Sequence, residues 1–488
     1  MIKWLGYAPD IDSKTPGIFT DCTNVVPTYK GFASGPGIQQ GLLAAALAST
    51  CQGAKLLTKN DGTVRFFAGS GTKMYEAAAS SWTDRTRASG GDYSLAADER
   101  WRFAQFGDVS LAAAKTDTLQ ASTTGAFADI SGAPQANIVE VVNNFVFLFD
   151  TTDATYGDAP NRWYCSALGD HTDWTVDVAT QCNTGILTAT SGTIYGAKRF
   201  GESIIAYKLK SMYYGVYVGP PNIWEFRLLP EDAGAISPEV IVDIGDSQNP
   251  KHLFMGFDDF YVFDGARATS IGENRVRNTV FSEIKRTKQH LALAIHDRVG
   301  SLVYFFYPTS DSNTPDACVV YNYRTNTWGR ADRTITFGCE YQIAATTYAD
   351  VGTLYSTYGD MPDVAYGSAF ASEGAPAPAL FGTDNKLYTL DGASVTSSLT
   401  TNEFGDDDQF STLHRAKINY ESNPTSSIMT NYYKLDSGDA MTTDTSTTVS
   451  SDRFDVLRSA RWHQLGFTFT GNWEASGMRV GLRPDGTE

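Results

Sequence analysis

Gly69, Ser70, Gly71, Thr72 and Lys73 are the residues of this chain that come nearest to a phosphate cradle, because such a cradle is built from glycine-loop N–H groups and a lysine. A Walker loop, however, needs four residues between its glycines and a lysine directly after the second, opening a helix. Here the segment joins Phe66 and Phe67 to Met74 and Tyr75, so it reads as a hairpin turn whose glycine supplies a positive φ. The histidines (His171, His252, His290, His296, His414 and His463) contain no His-x-His or His-x-x-x-His pair that would bring two imidazoles to one metal, and they read as structural. Asp406, Asp407 and Asp408 follow Gly405 without the alternating Asp-x-Asp-x-Asp-Gly spacing of a calcium loop. They are expected to form a solvated or lumen-facing acidic loop.

A glycosidase would need two facing carboxylates, which the letters alone cannot pair among 55 acidic residues. The nearest approach to the repeated Ser-x-Asp-x-Gly-x-x-Trp turn of sialidase-type propellers is Ser166 to Trp174, which has the wrong spacing and occurs once. No Gly-x-Ser-x-Gly elbow is present. The expectation is therefore a chain with no catalytic, cofactor-binding or metal-binding residues. Arg275, Arg277, Lys285, Arg286 and Lys288 form the densest positive group, either a solvated helix face or a docking patch for an acidic partner surface.

The elements that position these residues are dominated by one pattern: a short apolar strand, a turn of Gly, Asp or Asn, a second strand with aromatics, then a Trp or Asp-Gly exit. It recurs at 64–82, 102–119, 139–174, 195–224, 253–265, 302–328 and 380–392, and predicts a radially repeated all-β architecture, a β-propeller of about six blades. The period drifts, so six or seven units fit. Residues 278–295 interrupt it with Phe281, Ile284, Leu291 and Ile295 near helical spacing. The expected division is an N-terminal segment 1–60 belonging to a platform, a propeller with inserted loops over 61–396, and a C-terminal β-sandwich over 397–488 that completes the platform. Segments 42–50, 153–159 and 346–374, chosen for length and turn composition, are the candidate loops for narrowing a channel.

Composition narrows the function. The 42% hydrophobic content is enough for a large core, and the formal charge of −17 disfavours a DNA-binding groove, although an acidic wall would let nucleic acid pass unbound. No long apolar run suggests a membrane anchor or secretion signal. Six widely spaced cysteines without a Cys-x-x-Cys pair read as buried, reduced thiols.

Several stretches resemble the nozzle, or tail-hub, proteins of short-tailed bacteriophages, also known as packaged-DNA stabilisation proteins. They are residues 66–75 with Trp82, Thr83 and Asp84; 99–108; 163–174; 256–265 followed by Ile271, Gly272 and Glu273; 320–328; and Arg461, Trp462 and His463 leading into 467–469. The resemblance implies a six-bladed propeller on a platform made from both chain ends, assembled as a homohexameric ring in the virion tail. Such a subunit has no enzymatic activity or cofactor, extends the DNA channel below the portal and its adaptor, helps retain the genome, and docks tail fibres, spikes or a needle. DNA would traverse the lumen without specific binding. The alternative is a carbohydrate-binding or glycan-hydrolysing propeller of a tail receptor-binding protein, with Trp82, Trp174, Trp224 and Trp328 stacking sugar rings.

Overall fold

The computed structural model describes residues 2–486, apart from 42, 79, 247, 343–356, 358–375 and 395. Regular structure in the described chain is almost entirely strand, arranged as a propeller joined to a two-sheet platform.

Each blade is an antiparallel meander. Four blades stand as isolated four-stranded sheets: residues 53–84 (blade 1), 196–228 (blade 4), 241–270 (blade 5), and 337–392 together with Gly37–Gln40 (blade 7). Residues 102–129 (blade 2) and 135–186 (blade 3) are linked into one eight-stranded sheet by a single register pair, Thr118 with Gln135. Residues 293–330 (blade 6) run on into the platform through one pair, Arg330 with Val25. The expected count of about six is thus corrected to seven, the upper of the two numbers that the drifting period allowed, with one meander at each of the seven stretches where the pattern recurs.

Local chemistry sets the hairpins. In blade 3, Val142 pairs with Phe145 across Asn143 and Asn144, both at positive φ, the two-residue turn that asparagine tolerates. The ring closes where Gly37–Gln40, from the N-terminal side, becomes the outer strand of blade 7, pairing Gln39 with Thr389 and Gln40 with Tyr388. Gly37–Gln40 and Gly53–Thr58 therefore belong to the propeller, so the segment 1–60 is divided rather than lying wholly in the platform.

The platform is stitched from both chain ends. One sheet contains Ile18–Thr23, Thr396–Thr401, Trp462–Thr470, Ser426–Lys434 and Thr442–Thr448; the other contains Val25–Pro27, Phe32–Ser34, Glu474–Gly486, Phe410–Ser422 and Phe454–Ala460. Between them Phe19, Met429 and Phe467 meet Leu413, Ile418 and Met478, none more than 2% exposed. This core continues through Trp4, Val25 and Trp328 into Phe260 and Phe305 of the propeller, so the two parts share one apolar interior.

The helical expectation over 278–295 holds only in part. A helix spans Arg277–Glu283, its first turn held by Asp10, whose carboxylate accepts from the N–H groups of Asn278 (2.6 Å) and Thr279 (3.0 Å). Ile284 is extended and bridged to Thr309, a short 3₁₀ stretch covers Arg286–Leu291, and Leu293 already begins the inner strand of blade 6. Tertiary pairing has overridden local periodicity here.

Candidate functional site

The innermost strands of the seven blades surround a central bore of about 440 Å³. Although the chain is strongly acidic, the bore presents both signs of charge: Lys55, Arg102 and Lys198 against Glu140, Glu239 and Glu340. Each stands on the first strand of its blade, or just before it, where the alternation that buries one side of the strand in the blade turns the next residue to the axis.

The bore is crossed by an ion pair. Arg102 of blade 2 donates to both carboxylate oxygens of Glu239, which precedes the inner strand of blade 5, at 2.8 and 3.3 Å. The same guanidinium donates to the Asn137 carbonyl of blade 3 at 2.7 Å. Burial works to raise the Glu239 carboxyl, but Arg102, the Ser237 hydroxyl and the nearby Arg100 outweigh it and hold the pKa below the ordinary glutamate value. Arg100 itself ties the ring shut elsewhere, donating to the carbonyls of Cys51 (3.4 Å) and Thr336 (3.2 Å) over the Phe337 ring.

Lys55 lies deep in the molecule yet keeps partial exposure, because it faces the bore. Its ammonium donates to the Phe103 carbonyl at 2.7 Å. Removal from bulk water, with repulsion from Lys198 added, lowers its pKa to about 8. His296, also on the wall, is lowered to about 4 by burial and by Arg298, so it is neutral at pH 7. Among the described residues the bore shows no thiol or hydroxyl hydrogen-bonded to a basic side chain, and no group of three or more His, Cys, Asp or Glu side chains is placed to hold a metal ion.

The residues singled out in the sequence lie elsewhere. The basic group is spread along the connection from blade 5 to blade 6, and most of its charge is spent locally. Arg277 bonds the Asp258 carbonyl at 3.0 Å and approaches Asp259 at 3.8 Å; Arg286 donates to the Phe257 and Phe281 carbonyls and covers the Phe257 ring; Lys288 pairs with Asp98; Lys285 bonds Asn313 at 2.9 Å. Arg275 contributes its backbone to the turn at Gly272. Asp406, Asp407 and Asp408 are exposed on the platform rather than in the bore, where Asp407 accepts from Trp462 Nε1 at 2.6 Å and Lys14 lies 3.8 Å away.

Trp174, Trp224 and Trp328 are at most 7% exposed, and Trp82 is half-buried with its Nε1 on the Ala45 carbonyl at 3.0 Å, so these rings close blades instead of lying open for stacking. Residues 70–73 form the expected hairpin turn, with Ser70 N on the Lys73 carbonyl at 2.8 Å. Neither Gly69 nor Gly71 has a positive φ; Gly69 is required instead because a Cβ there would lie 2.2 Å from Trp101 Cδ1. Of the candidate loops, 42–50 packs Leu43 and Leu47 into the core, 153–159 is the exposed hairpin tip of blade 3, and 346–374 lies outside the described residues apart from Thr357. Sequence reading missed the bore residues. Their signal was a lone charge inside a short apolar first strand, as in Lys55 between Ala54 and Leu56 or Glu340 between Cys339 and Tyr341.

No family model matches the chain, and no curated protein does. Solved structures similar to it include YCF48 bound to D1 peptide, at 11% identity and a TM-score of 0.35 over 63% of this chain and 86% of that one. The extracellular domain of BT4673 from B. thetaiotaomicron is similar at 9% identity and a TM-score of 0.42, over 85% of this chain and 46% of that one. A puromycin hydrolase is similar at 10% identity and a TM-score of 0.35, over 71% of this chain and 60% of that one. At these scores the likeness says nothing of activity.

Proposed function

We propose that this chain is a non-catalytic structural subunit of the nozzle type, assembling as a homohexameric ring that extends a DNA channel, helps retain packaged DNA and docks an adaptor and tail appendages. The observation that carries this reading is mechanical continuity. Ile2 pairs with Met478 and Phe32 with Ala475, so segments far apart in the sequence are zipped into one sandwich, and that sandwich shares its core with the propeller. A subunit under load from a packaged genome needs such a joint, which passes force from platform to propeller through a shared core and not through a flexible linker. The Arg102–Glu239 crossing also fits: a propeller whose bore is spanned by an ion pair is a solid part, and the conduit runs between copies around the ring axis.

Electron microscopy of the purified protein, and of a particle in which the subunit is located, tests the reading. Six-fold rings below a portal are expected. A monomer absent from tail assemblies would overturn it.

A further inference from the structure

Arg102 is the first residue of its inner strand and Glu239 precedes its own, whereas Lys55 and Lys198 stand third in theirs, one layer further along the bore. The lining carries five cationic side chains and four carboxylates, in a chain whose formal charge is −17. Most of these charges are accounted for within the fold. Glu239 is engaged by Arg102, and Glu340 by Arg298 at 3.3 Å. Arg199 and Asp243 are exposed and bond their own turns, the guanidinium donating to the Gly201 carbonyl at 2.7 Å and the carboxylate accepting from the Gly245 N–H at 3.0 Å. That leaves Lys55 of blade 1 and Lys198 of blade 4 with Glu140 of blade 3, all half-buried. Among the described residues Lys198 has no hydrogen bond or ion pair, Lys55 has only the Phe103 carbonyl, and Glu140 forms no ion pair with either.

We propose that the bore is a binding site for a small organic anion, a phosphate monoester or a dicarboxylate, held between the ammonium groups of Lys55 and Lys198. Two like charges that share a water-poor cavity repel each other, and an oxyanion placed between them converts that repulsion into charge-assisted hydrogen bonds. The repulsion registers at Lys55, where burial and then Lys198 lower the pKa to about 8 although Glu140, Glu239 and Glu340 act in the opposite sense. Glu140 competes with the anion for the same two ammonium groups, so it sets the affinity without abolishing the site. The cavity of about 440 Å³ falls in the range of about 300–1,000 Å³ in which proteins enclose small molecules. A nucleic-acid strand does not fit the same chemistry, because the Arg102–Glu239 pair crosses the axis it would have to thread. The site is complete within one copy, so it goes beyond the ring reading and does not depend on it.

Isothermal titration calorimetry of the full chain with glycerol 3-phosphate and with succinate, at an ionic strength fixed by chloride, tests this. One saturable site per copy is expected for at least one of the two, and the tighter identifies the headgroup. Lys198→Met is expected to weaken binding about tenfold or more and Glu140→Gln to tighten it. Lys30→Met, on the exposed surface of the platform, should leave binding unchanged. Trace acetylation of the native protein, mapped by mass spectrometry, supplies a check that needs no variant: the anion should slow modification of Lys55 and Lys198 and not of Lys30. The absence of saturable binding by either anion would overturn the proposal, as would an equal loss in Lys30→Met or an unaltered affinity in a folded Lys198→Met. Should Lys198→Met fail to fold, acetylation of Lys55 and Lys198 at the same rate with and without the anion would overturn it.

Discussion

Arg102 and Glu239 stand on opposite sides of the propeller ring, three blades apart, and meet across its axis in a two-bond ion pair at 2.8 and 3.3 Å. Both side chains are mostly buried, so each charge depends on the other for the solvation it has given up. Arg102→Met or Glu239→Gln alone is expected to cost about 3–5 kcal/mol in denaturant melts, and the double change to Met and Leu distinctly less than the sum. Strict additivity in that cycle would mean that the two residues do not interact in solution. Because the Glu239 pKa is lowered on folding, the pair's contribution is present above the unfolded carboxylate range and is lost as pH falls through the folded value.

His252 gives a second pH dependence. Its Nε2 donates to the Arg199 carbonyl at 2.9 Å, which leaves Nδ1 to accept from the Tyr207 hydroxyl at 2.7 Å, so the ring is neutral. Burial lowers its pKa to about 3. Between that value and the unfolded pKa of about 6.5 the unfolded chain binds a proton that the folded chain refuses, so stability falls as pH drops, by up to about 1.4 kcal/mol per pH unit from this residue. Chemical denaturation across that window should show a shallower slope for His252→Gln than for the native protein. An equal slope would place the pH dependence elsewhere.

Gly69 and Trp101 form a packing pair. The indole is 1% exposed, its Nε1 donates to the Ser70 carbonyl at 3.0 Å, and its ring fills the space a Gly69 side chain would need. Trp101→Ala is expected to cost about 3–5 kcal/mol and Gly69→Ala about 1–3 kcal/mol. Combining them should cost less than the sum, since removing the ring makes room for the methyl group. A Gly69→Ala melt within experimental error of the native one would contradict the contact.

The six cysteines are free and buried, and burial raises the thiols of Cys51 and Cys165 to about 12. A thiol-reactive chromophore should label none of them in native buffer and all six in denaturant. Rapid native labelling of even one would reveal local opening of a blade.

The residue order alone carried the all-β class, the repeated meander and the burial of the cysteines, because alternation, turn residues and composition are local properties of the chain. It placed the hairpin at Ser70 through Lys73 correctly and gave the wrong reason for its glycine, since what forbids a side chain at Gly69 is an indole thirty-two positions away. It read a basic cluster between Arg275 and Lys288 that folding spends on Asp98, Asp258 and Phe257. Blade number, the closing of the ring by Gly37–Gln40 and the meeting of Arg102 with Glu239 depend on which distant segments become neighbours. Charge, burial and strand-pairing energies act through space, so these relationships came into being only when the chain folded.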